Sequence, residues 1–99
     1  KIRMPGYFIV RCEYFNDLEY KNYAKLAAKA VSEFGGIFLV TGKGSQNQKE
    51  LGSLPKTVVV KFESYQKALK CYESKTYQKA LAFITSSSNR DFIIVEGLN

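Results

Sequence analysis

Histidine and tryptophan are absent from this 99-residue chain, and cysteine, proline and methionine number only two, two and one. Without histidine there is no imidazole base, no Cys–His nucleophile pair and no ordinary zinc set. The same absence removes the usual axial ligand of a haem, so neither haem nor a transition metal is expected, and no cofactor of any kind. Cys12 and Cys71 stand alone, with no CxxC or CxxH spacing. They read as small buried thiols in a reducing cytoplasm, not as a disulfide or a redox pair. No apolar run approaches the ~20 residues that span a bilayer. No signal-peptide pattern precedes the strand-like start either.

What is present is aromatic: seven Tyr and seven Phe in a chain that is 45% apolar and 24% charged. Those are globular values, and the length predicts a single domain over residues 1–99. Lys1-Ile2-Arg3 precede a Met4-Pro5 that looks like a natural start, so these three are expected to be additional sequence. Fifteen Lys+Arg against nine Asp+Glu give a formal charge of +6. A nucleic-acid partner would concentrate such charge on one face. Here most of the cations are lysines spread along the chain. Only Lys67, Lys70, Lys75 and Lys79 come near one another, at helix positions that face solvent in any case, so no nucleic-acid partner is expected.

Residues 7–14 alternate as a strand, with Phe8, Val10, Cys12 and Tyr14 on one side and Tyr7, Ile9, Arg11 and Glu13 on the other. Asn16 opens a helix, with Glu19 three residues on as a capping box and Asp17 at the positive end. Tyr20, Tyr23, Ala24, Ala27, Val31 and Phe34 then recur at helical spacing as one apolar stripe. Gly35-Gly36 ends the helix and residues 37–41 form a short strand. Residues 42–55 are polar and glycine-bearing. Their Gly42-Lys43-Gly44 lacks the GxxxxGK[ST] spacing of a phosphate loop and reads as a connection between antiparallel strands. A strand follows over residues 57–62. Ser64 caps a helix carrying Ala68, Leu69 and Tyr72; Ser74 restarts the pattern with Tyr77, Ala80, Leu81 and Ile84. Residues 86–89 read as a break, and residues 92–97 as the last strand.

Strand, helix, strand, strand, helix, strand gives two interlocked right-handed crossovers: a ferredoxin-like α+β fold, βαββαβ, with a four-stranded antiparallel sheet and its helices on one face. Every strand is nonetheless apolar on both sides at its centre, as at Ile9 and Val10, Leu39 and Val40, Val59 and Val60, and Ile93 and Ile94. A sheet with one wet face should alternate instead. A second copy, sheet against sheet, is the expected cover.

The residues also resemble a family. Gly6-Tyr7, Asp17-x-x-Tyr20-x-x-Tyr23 and Gly35-Gly36-Ile37-Phe38-Leu39-Val40 carry the resemblance in the first half of the chain. Pro55-Lys56-Thr57-Val58-Val59-Val60-Lys61-Phe62-Glu63-Ser64, Ser74-x-x-Tyr77-Gln78 and Ile93-Ile94-Val95-Glu96-Gly97 carry it in the second. In order and spacing the chain is similar to the domain of unknown function 1330 family, dimeric α+β barrels of ferredoxin-like fold. The resemblance implies that fold and a homodimer, and no established activity. Where the family continues its second strand with Arg-Gly-Gly, this chain has Thr41-Gly42-Lys43. Where an arginine often follows the second helical region, it has Ile84-Thr85.

Three readings of function follow. The first is a small-molecule pocket between sheet and helices, for an anionic or aromatic ligand, with Tyr20, Tyr23, Thr41, Lys43, Tyr77 and Glu96 as its candidate residues. Lys43 would supply the cation that the family's arginines supply elsewhere. The second is a cofactor-free monooxygenase-like or isomerase-like enzyme, because related dimeric barrels include cofactor-free monooxygenases. Acid–base work would then fall to Asp17, Glu96, Lys43 or a perturbed tyrosine. The third is a non-enzymatic dimeric module, stress-associated or regulatory, for which the interior should be solid.

Overall fold

Alternation and helical stripes resolve into seven elements. They are β1 (Gly6–Tyr14), α1 (Asp17–Glu33), β2 (Ile37–Val40), β3 (Lys56–Phe62), α2 (Tyr65–Glu73), α3 (Lys75–Ala82) and β4 (Ser88–Glu96). The structure is a computed structural model and describes residues 4–99. The expectation about Lys1-Ile2-Arg3 therefore lies outside the described residues. The four strands form one antiparallel sheet in the order β2-β3-β1-β4. Each of the two crossovers thus skips a strand, which is the ferredoxin-like arrangement.

The caps act where the residues place them. Asn16 Oδ1 accepts the Glu19 N–H at 3.0 Å, opening α1. At its other end the Gly36 N–H reaches the Val31 carbonyl at 2.8 Å and the Gly35 N–H reaches Ser32 at 3.1 Å. This is a Schellman closure, with Gly35 left-handed at φ 72°. Gly36 has a second reason. A Cβ there would stand 2.7 Å from a Val31 methyl and 2.8 Å from the Phe62 ring, so the chain can only pass this close without one. Ser74 serves two helices at once. Its hydroxyl donates to the Cys71 carbonyl at 2.7 Å and accepts the Tyr77 N–H at 3.2 Å, ending α2 and starting α3.

Between sheet and helices lies one core. Phe8, Val10, Cys12, Val60 and Phe62 come up from the sheet against Tyr23, Ala27, Ala30 and Val31 of α1 and Ala68, Cys71, Tyr77 and Ala80 of α2 and α3. Phe8 is the central ring, 4.7 Å from Phe62 and 4.8 Å from Phe92. Both thiols are free and buried.

Two boundaries differ from expectation. β4 begins at Ser88, not Phe92, so Ser88 and Asn89 are strand and not break. The cause is long-range. β1 runs on to Tyr14, and its last two residues give Ser88 and Asn89 ladder partners. β2 ends at Val40, one residue short of Thr41, and its register against β3 shifts between Phe38 and Val40.

On the far face the second apolar row is present. Ile9, Val59 and Ile93 lie side by side across β3, β1 and β4, and Ile93 remains 49% exposed. Residues 41–55 form no helix, which excludes a phosphate loop. Arg11 Nη2 donates to Gln48 and Thr57 Oγ1 to Gln46, tying this segment to the sheet. Among the described residues no helix is long and apolar enough to cross a membrane.

Candidate functional site

The strand alternation that buries Cys12 also decides where the site's charge points. Residues directly opposite one another in an antiparallel pair share a face. Arg90 pairs with Cys12 and Phe92 with Val10, so the Arg90 side chain rises toward the helices. Above it, Tyr23 comes down from α1 and Tyr77 from the first turn of α3, where Ser74 has set its position. The three polar ends meet. Arg90 Nη2 donates to the Tyr23 hydroxyl at 2.9 Å and to the Tyr77 hydroxyl at 3.0 Å. The two hydroxyls share a hydrogen bond of 2.7 Å. The guanidinium carbon also lies 4.9 Å from the Tyr23 ring centre and 5.2 Å from that of Phe92.

This triad closes one side of a cavity of about 220 Å³. The sheet contributes Phe8, Val10, Val58 and Val60, and α1 contributes the small residues Ala24, Ala27 and Ala28. Tyr14 and Tyr20 pack with ring centres 4.4 Å apart, tilted by 43°, along another wall. Phe38, Thr41 and Lys43, all exposed, complete the lining from β2 and the segment after it. Lys56 lies over the Tyr20 ring at 5.4 Å.

The electrostatics are one-sided. No Asp or Glu lines the cavity, and among the described residues Arg90 has no carboxylate partner. Its Nε is buried without a hydrogen-bond acceptor. Burial opposes the Arg90 charge, but the oxygens of Tyr23, Tyr77 and Tyr14 outweigh it, and the guanidinium titrates above its usual range. Burial likewise pushes the Tyr23, Tyr77 and Tyr14 hydroxyls above theirs. The tyrosines are therefore neutral donors at physiological pH, not tyrosinate bases. Cys71 is pushed up to about 12 by burial and is equally inert.

Of the residues expected at a site, Tyr20, Tyr23, Thr41, Lys43 and Tyr77 line this one cavity. Glu96 does not. It is exposed and lies six residues beyond Arg90 on β4, roughly 20 Å away at strand rise. Asp17 is exposed at the start of α1 and does not line the cavity. The cation inside is Arg90, which sequence reasoning passed over by starting the last strand at Phe92. A signal was available: Arg90 stands two before the apolar Phe92 and so shares its face if the strand begins earlier. Among the described residues no three His, Cys, Asp or Glu gather in a way that could hold a metal.

Fold and site together define a ferredoxin-like α+β domain with an arginine-bearing cavity between sheet and helices. Over residues 5–98 the sequence matches the family described as domain of unknown function DUF1330, and the chain belongs to it. No curated protein matches. Among solved structures, a protein of unknown function from Rhodopseudomonas palustris superposes with a TM-score of 0.73 at 11% identity, over 98% of this chain and 85% of that one. A methylated form of it gives 0.75 at 11%, over 98% and 83%. A conserved protein from Bacteroides thetaiotaomicron, described as a possible oxidoreductase, gives 0.54 at 5%, over 95% and 98%. At such identities the likeness is one of fold.

Proposed function

We propose that the chain is a binding protein for a small organic anion, held in the cavity between α1 and the sheet. The observation that carries this is Arg90, a cation inside an apolar cavity with no carboxylate against it. Two hydroxyls and two ring faces hold its charge, but no counter-charge does, and a methionine would fill the same space without needing one. Holding two tyrosine hydroxyls does not require a guanidinium either, since they already bond each other. A ligand that brings the missing negative charge accounts for all three side chains.

Catalysis lacks a supporting group. No carboxylate lines the cavity, the chain has no histidine, and the tyrosines stay protonated. Lys43 stands at the mouth as a mobile second cation that draws anions inward. The apolar row of half-buried Ile9 and Val59 and exposed Ile93 supports a homodimer closed sheet to sheet, which leaves the cavity on the helix side free. Two free buried thiols fit a reducing cytoplasm.

A thermal-shift screen of small organic acids against their neutral amides tests the reading. Acids should raise the melting temperature and amides should not, and Arg90→Met should abolish the effect. Equal shifts in wild type and Arg90→Met would overturn it.

A further inference from the structure

Resting on that reading, we infer that the ligand is a single-ring aromatic monocarboxylate, entering with its carboxylate toward Arg90, Tyr23 and Tyr77. Hydrogen counting indicates the head group. Arg90 Nη2 donates to both tyrosine oxygens. One tyrosine hydrogen makes the bond between the hydroxyls, which leaves the other hydroxyl hydrogen without an acceptor. The Arg90 Nε hydrogen is also unmatched. The triad therefore offers donors of two kinds, and a carboxylate is an acceptor on both oxygens. A neutral amide would turn an NH₂ toward one of these donors and lose that bond.

Volume indicates the body. An apolar cavity of about 150 Å³ holds benzene, and a water's share of liquid is about 30 Å³. The 220 Å³ here is thus one six-membered ring plus space for a two- or three-atom group. A second fused ring would have to stand out through the mouth. The shape of the lining agrees. Ala24, Ala27 and Ala28 leave a shallow trough on α1 opposite Val58, and Phe38 and Tyr14 present ring surfaces for edge or offset contact. Among the described residues Arg90 is the cation at depth and Lys43 stands at the mouth, so a second carboxylate at depth would be left unpaired.

Calorimetric titration of the full chain with benzoate, benzamide, succinate, inorganic phosphate and 2-naphthoate tests this. Benzoate should bind one per chain, with benzamide and 2-naphthoate at least tenfold weaker and succinate and phosphate silent. Arg90→Met should abolish benzoate binding. Arg90→Lys, which keeps the charge but loses the planar fork, should weaken it at least tenfold, and circular dichroism should show both variants folded. If succinate or phosphate binds in an Arg90-dependent way and benzoate does not, the aromatic class is wrong and the anion site stands. If none of the compounds binds in a manner Arg90→Met removes, both are overturned.

Discussion

The hydroxyls of Tyr23 and Tyr77 lie 2.7 Å apart although the residues are 54 positions distant in sequence, and a single nitrogen of Arg90 donates to both. One polar knot therefore ties α1, α3 and β4 together at the wall of the cavity. It is a structural tie and a cation without a counter-charge together, and the two roles separate on mutation.

Removing the cation should leave the empty protein about as stable as before. Arg90→Met deletes a charge that has no carboxylate partner and keeps the tyrosine–tyrosine bond. The expected melting temperature without ligand is equal to wild type or a few degrees higher, measured by circular dichroism. A large drop would mean that Arg90 is there to hold the fold.

Tyr77→Phe should behave in the opposite way. The ring stays packed, but Arg90 loses an acceptor in a buried setting, at a cost of about 1–3 kcal/mol. Chemical denaturation should show that loss with an unchanged dependence on denaturant.

Alkali should destabilise the protein. Folding raises the Tyr23 and Tyr77 values above 10.0, and that of Cys71 from 9.0 to about 12. These groups hold their protons more tightly folded than unfolded. Their contribution is thus intact below pH 9 and is lost as pH rises through the unfolded values toward the folded ones. Stability measured from pH 7 to 11 should be flat at first and fall above pH 9–10. A flat profile to pH 11 would contradict the burial of these groups.

Much of this fold is legible in the residues, because its signals are local. Asn16 with Glu19, Gly35-Gly36, Ser64 and Ser74 each mark an element end within a few positions, and the Tyr20–Tyr23–Ala27 stripe gives the buried face of α1. What stayed hidden was non-local. Ser88 and Asn89 look like a break until Tyr14 and Glu13 are placed beside them, and only that pairing turns Arg90 inward. The sequence pattern therefore points to Lys43, in the glycine-flanked segment, which stands exposed at the cavity mouth.

The open sheet face makes its own prediction. Light scattering at micromolar concentration should give twice the chain mass, and Ile93→Lys should halve it without unfolding the chain. A clean monomer in the wild type would contradict sheet-to-sheet pairing.

The most direct measurement is the Arg90 Nε–H signal in a ¹⁵N-labelled sample, assigned by its loss in Arg90→Lys and followed during benzoate addition. Contact between the acid and the guanidinium should move that resonance progressively to saturation, in step with the binding curve. An Nε–H signal that stays in place while benzoate saturates the protein would put the acid elsewhere and contradict an Arg90 anion site.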